Sequence, residues 1–185
     1  MVNKTKADFD KVKDEETLPD DELEQFSISL LDAIQNGATL KDVHGITNDT
    51  MHGVYKLAYD FYHHGKLDDA ESLFRFLCIY DFYNPEYAMG LAAVHQLKKN
   101  YAKAIDFYAL AYSLSKDDYR PMFYAGQCNL MLRQAVQART CFEIVTEKCS
   151  DTLLNQKAQN YLSALEEIIK TENSVTDYQQ RGHDD

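Results

Sequence analysis

Long apolar runs are missing from this chain. Stretches such as Phe76–Tyr80 and Phe107–Tyr112 fall far short of the ~20 residues a membrane span needs, so no transmembrane helix is expected. The start is equally poor in apolar residues. Met1–Glu24 mixes lysines with many acids and offers no apolar h-region, so it does not read as a secretory signal. Positive charge is in deficit: 19 Lys and Arg face 30 Asp and Glu, a formal net charge of −11. Such a chain repels phosphate backbones and anionic lipid, which argues against nucleic acid and membrane as direct partners. A basic or amphipathic protein partner stays open. Cysteine is sparse, and Cys78, Cys128, Cys141 and Cys149 form no C-x-x-C pair. They read as small core hydrophobes in a reduced, cytoplasmic setting.

Chemistry-bearing patterns are scarce too. The seven glycines make no phosphate-binding loop. His63 and His64 are adjacent, so on a helix they point roughly 100° apart and grip no common ion. His44, His52, His95 and His183 are scattered. Ser27, Ser29 and Cys78 have no recognisable base and orienting group. Asp20-Asp21-Glu22 and Asp68-Asp69-Glu71 read as solvated helix starts, where acids suit the dipole. No catalytic residue, metal site or cofactor is expected, and the chain does not read as an enzyme.

What is present is a period. Ala70, Ala104 and Ala138 recur at one constant interval. Four residues after each comes an aromatic: Phe74, Tyr108, Phe142. Twelve residues before each comes a small residue: Ala58, Ala92, Gly126, preceded by Leu57, Leu91 and Ala125. Interval and slots follow the pattern of a tetratricopeptide repeat, an all-α solenoid of helix pairs whose inner surface binds other chains. Residues 1–20, charged and closed by Pro19, read as a disordered extension. Residues 21–170 read as one all-α domain: N-terminal helices over 21–48, three repeats over 51–152, and a capping helix over 153–170. The polar residues 171–185 read as a flexible tail. The first helix, Asp21–Asn36, carries Phe26, Leu30 and Ile34 at i, i+4, i+8 with Ile28 and Leu31 beside them, and stops at Gly37. Thr39 and Asp42 resemble a capping box. The repeats are 51–84, 85–118 and 119–152; in the first, helix A covers Asp49–His63 and helix B Asp68–Tyr80, with Gly65 at the turn. Asn84 caps the second repeat ahead of Pro85, and Asp118 with Pro121 opens the third.

Helix A of the first repeat carries two stripes. Val54, Leu57, Ala58 and Phe61 are its expected core positions. Tyr55, Tyr59 and Tyr62 recur at i, i+4, i+7, centred roughly 115° away. An aromatic stripe at helical spacing can simply complete a core. Here the core slots are already filled, so the tyrosines are assigned to the concave groove. The equivalent positions are Met89, Ala93 and Gln96 in the second repeat and Phe123, Gln127 and Leu130 in the third. Such a groove suits an extended peptide: amides can bond its backbone, and apolar pockets can take its side chains.

Several segments resemble the class II chaperones of type III secretion systems, which hold translocator proteins: Gly37–Ile46, Phe74–Asn84, Met89–Ala93, and Asp118–Pro121 with Gly126–Cys128. The likeness covers about residues 24–170 and is greatest to the enteric, invasion-associated branch. It implies a bacterial cytoplasmic chaperone without ATPase activity, binding an extended N-terminal segment of a translocator in the groove. It also implies a homodimer using the N-terminal helix region, here Phe26, Leu30, Leu31 and Ile34, and a second role as co-activator with an AraC-type transcription regulator. A generic tetratricopeptide adaptor clamping an acidic C-terminal peptide is the other alternative. It would need cations in the groove, where the expected slots hold tyrosine, methionine, alanine, phenylalanine and glutamine.

Overall fold

The chain is seen in a computed structural model that describes residues 37–115 and 117–181, with side chains as far as Glu167. The expected extension 1–20 and the helix carrying Phe26, Leu30, Leu31 and Ile34 lie outside the described residues, as do residues 182–185. The elements are α1 (Leu40–Val43), α2 (Asn48–His63), α3 (Leu67–Tyr80), α4 (Pro85–Leu97), α5 (Tyr101–Leu114), α6 (Arg120–Met131), α7 (Ala135–Lys148) and α8 (Thr152–Arg181). Pairs α2–α3, α4–α5 and α6–α7 are the three repeats. Helix α8 runs on past Lys170, where the sequence pattern suggests an end, to Arg181.

Local signals set the helix starts. The Asp42 carboxylate accepts from both the Thr39 backbone N–H (2.9 Å) and the Thr39 hydroxyl (2.7 Å). Thr47 Oγ1 accepts from Thr50 N, Asn84 Oδ1 from Glu86 N, and Asp118 Oδ1 from Arg120 N. Each satisfies an amide that the first helical turn leaves unpaired. The turns inside the three repeats share one backbone conformation. Gly65, Lys99 and Arg133, which hold the same slot in successive repeats, have φ of 71°, 61° and 58°. Only the first turn uses the residue for which a left-handed conformation is free of strain.

From α2 onward each helix packs on its neighbours in the chain; α1 touches α3, α2 also touches α4, and α6 touches α8. The first helices of the repeats therefore line one side of the stack. The repeated small residues form the contacts: Ala58, Ala92, Ala70, Ala104 and Ala138 are fully buried, as is Phe142, and Phe74 and Tyr108 are 1% exposed. A Cβ on Gly90 would overlap the Phe74 ring, and one on Gly126 would stand 2.7 Å from the Phe142 ring. Leu57, expected in the core, is instead 46% exposed. Its counterparts Leu91 and Ala125 are covered by α3 and α5; among the described residues no helix precedes α2 except the short α1.

Two polar features tie the stack. Lys41 Nζ lies 2.7 Å from Asp81 and holds α1 to the end of α3. Lys98 Nζ lies 2.6 Å from both Asp68 and Glu71, so Glu71 is not a solvated helix start. Beside it His95 is buried, stacked at 5.4 Å on Phe107, with Nδ1 unpartnered. Burial holds its pKa below the ordinary 6.5, opposed by Glu71 and aided by Lys103, Lys98 and Arg75.

Gly90→Ala should lower stability by about 1–3 kcal/mol through overpacking against Phe74, and Gly126→Ala by less, both read from urea unfolding midpoints. His95 binds protons more weakly folded than unfolded. Its contribution is therefore complete above pH 6.5 and falls as pH drops below that value. Thermal unfolding between pH 5 and 7 should show this slope, and His95→Phe should flatten it.

Candidate functional site

The inner side of α2 is an aromatic ladder. Tyr55 and Tyr59 have ring centroids 5.7 Å apart, Tyr59 and Tyr62 5.9 Å, and Tyr55 and Phe74 6.0 Å edge to face. The i, i+4, i+7 spacing stacks these rings along one face. Tyr59 is 43% exposed, while Tyr55 and Tyr62 are half-buried against the core of the first repeat. The three line a cavity of about 250 Å³ together with Met89, Ala93 and Gln96 of α4. So the structure brings six of the nine expected groove residues into one concavity.

Two of the other three, Gln127 and Leu130, line an adjoining cleft with Gln96, Leu97, Met131 and Tyr161. Gln96 and Leu97 border both, which makes the groove continuous from α2 to α8. Phe123 is the exception. It is 5% exposed and lies edge-on to Phe142 (5.8 Å) and Tyr161 (5.7 Å), inside the core of the third repeat. Tyr124, one residue on, faces the groove instead and stacks on Tyr108 at 5.7 Å. The third-repeat stripe is therefore Tyr124, Gln127 and Met131, an i, i+3, i+7 set visible in the sequence once Phe123 is given to the core.

Polar groups in the groove are few and fixed. Tyr108 donates its hydroxyl hydrogen to Gln96 Oε1 at 2.6 Å, which leaves the Gln96 NH₂ as a donor. Gln127 Nε2 donates to Tyr161 Oη at 2.9 Å, which leaves the Gln127 carbonyl oxygen as an acceptor. The two amides thus present opposite hydrogen-bonding ends to an occupant. At one margin Arg120, not foreseen from sequence, sits 2.5 Å from Glu86 and 2.7 Å from Asp118. Two carboxylates neutralise this arginine, so it is a poor clamp for an acidic peptide end.

The ionisation pattern favours binding over acid–base work. Burial, with Glu86 adding to it, pushes the Tyr55 phenol up to about 12. Burial raises Tyr62 and, more strongly, Tyr108. These phenols stay neutral at physiological pH and present rings and hydroxyl donors. Among the described residues no cluster of His, Cys, Asp or Glu could hold a metal ion, and no helix is long and apolar enough to cross a membrane.

Comparison with known proteins adds to this geometry. The tetratricopeptide-repeat family model matches residues 51–84 and 85–118, the first two repeats at the boundaries read from the sequence period. The chaperone protein SicA of Salmonella typhimurium is 58% identical over 142 residues, spanning 77% of this chain and 86% of its own. The uncharacterized Escherichia coli protein YgeG is 36% identical over 143 residues, covering 77% and 88%. Among solved structures, a type III secretion complex from Aeromonas hydrophila superposes with a TM-score of 0.73 at 26% identity, over 77% of this chain and 97% of that one. PcrH of Pseudomonas aeruginosa, bound to the chaperone-binding region of PopD, gives 0.62 at 29% identity, covering 65% and 94%. The Yersinia enterocolitica translocator chaperone SycD, in an alternative dimer, gives 0.64 at 27%, covering 69% and 98%.

Tyr108→Phe should cost about 0.5–1.5 kcal/mol in urea unfolding, because Gln96 Oε1 loses its partner inside the groove. In a Gln96→Ala background the same substitution should cost almost nothing.

Proposed function

This chain belongs to the family of SicA, the class II chaperones of type III secretion systems, and we propose that it holds translocator proteins by an extended N-terminal segment laid along the groove of α2, α4 and α6. The observation that carries this reading is the tyrosine ladder. Tyr55, Tyr59 and Tyr62 stand on the open side of a helix whose repeat-core slot, Ala58, is already fully buried. Met89, Ala93 and Gln96 continue the surface, and Gln127, Leu130, Tyr124 and Met131 extend it. Phe123 supports this surface from below.

An extended client gains on two counts. Its apolar side chains leave water at roughly 25 cal/mol per Å², and Tyr is among the residues that dominate binding energy at interfaces. Its backbone finds a donor at Gln96 and an acceptor at Gln127. Binding the unfolded chain then lowers its free concentration by mass action and opposes aggregation or early insertion. The net charge of −11 keeps the complex soluble. This work involves no chemical step and takes place in the bacterial cytoplasm, before export. The assembly proposed is a homodimer, as solved for SycD, with Phe26, Leu30, Leu31 and Ile34 in the N-terminal helix region. The neutralised Arg120 disfavours the carboxylate-clamp adaptor.

Tyr59→Ala should weaken binding of a translocator peptide about tenfold, roughly 1.4 kcal/mol by calorimetric titration, with little change in melting temperature. A melting temperature that falls in step with affinity would return the ladder to the core. Leu31→Glu should halve the mass seen by light scattering.

A further inference from the structure

The inner helices α4 and α6 begin at one rim of the groove and end at the other, and the two rims differ in charge. At the starting rim Arg120 is held by Glu86 and Asp118. At the finishing rim lie the turns into α5 and α7. Residues 97–105 and 131–139 hold Lys98, Lys99, Lys103, Arg133 and Arg139 and no Asp or Glu, in a chain of net charge −11. Lys98 is engaged by Asp68 and Glu71, and Arg139 by Glu143. Among the described residues Lys99, Lys103 and Arg133 are in no ion pair.

Helix ends do not account for these charges. Cations suit the C-terminal ends of α4 and α6. Lys103, however, lies in the first turn of α5, where a cation opposes the dipole, and the same slot of α3 holds Asp69. Nor does the turn geometry call for them. Lys99 and Arg133 have φ of 61° and 58°, left-handed values at which a side chain is strained and glycine is not. The first repeat uses Gly65 there. Two long cations are thus kept where the backbone favours another residue. The surface beside them is apolar: Leu97 is 51% exposed and Met131 60%. Both line, with Lys99, the cleft that continues the groove.

We propose that this rim receives acidic residues of the client, next in sequence to the segment laid in the groove. Lys99, Lys103 and Arg133 pair with them, and Leu97 and Met131 seat an apolar side chain alongside. The inference rests on the groove reading above and adds the charge of what the groove accepts. Exposed pairs of this kind add modest affinity and chiefly set encounter rate and register.

The test uses the full chain and a labelled translocator peptide made with a flank of glutamates, serines or lysines at either end. At about 50 mM salt one glutamate-flanked form should bind roughly three- to tenfold more tightly than the serine form, and the gain should fade as added salt screens the rim. Net charge alone gives the opposite order, since an acidic chain repels a glutamate flank. Replacing both turn cations, Lys99→Gly with Arg133→Gly, should abolish the gain. This variant should melt no lower than the parent, because glycine is unstrained in both turns. Lys148→Ala, at the opposite rim, should leave the gain intact. Equal affinity for the three flanks, preference for lysine, or a glutamate gain that survives the glycine pair would overturn the proposal while binding of the serine form still depends on Tyr59. A serine form whose binding ignores Tyr59→Ala would instead remove the groove reading, and this inference with it.

Discussion

Aromatic rings at one slot of every repeat lie against residues with almost no side chain, and the stack rests on that fit. Phe74, Tyr108 and Phe142 fill the space that Ala58, Ala92, Gly90 and Gly126 leave open. Packed interiors tolerate neither a void nor an extra methyl at such a point. The repeat period is thus a steric rule, and it fixes how closely successive helices approach. The same approach sets which residues of the first helices remain outside the core.

The groove follows from this allocation. Once the small residues and rings occupy the interior, Tyr55, Tyr59, Met89, Ala93, Tyr124 and Gln127 have nowhere to go but the inner side of the stack. Hydroxyl and amide groups there are tied to each other, as Tyr108 is to Gln96 and Tyr161 to Gln127. A surface with its side chains fixed in advance loses less entropy when an occupant arrives. The arginine at the margin is held by Glu86 and Asp118, so that margin offers shape and hydrogen-bonding groups more than net charge.

Much of this is legible in the sequence because a repeat is its own alignment. Three copies of one pattern specify the helix pairs, the buried alanines and six groove residues around one cavity. The failures lie where symmetry breaks. Translation from Tyr55 puts Phe123 in the groove, but α8 brings Tyr161 against it, and no repeat-internal signal reports a capping helix's side chain. Translation from Leu91 puts Leu57 in the core, yet the first repeat has no preceding repeat to cover it. Arg120 escapes because its role depends on Glu86, at the equivalent point of the neighbouring repeat. A period defines slots, whereas ion pairs across it depend on which residues happen to fill them.

The neighbour-to-neighbour packing also bears on how the chain acquires its shape. Each helix meets partners close by in the sequence, so forming a pair closes only a short loop, and the entropy of closure is small. Chains dominated by such local contacts fold quickly. A helix pair near the start can organise while later pairs are still being synthesised, since nothing distant is needed to complete its interface. A member of a chaperone family thereby spends little time as an unfolded chain itself.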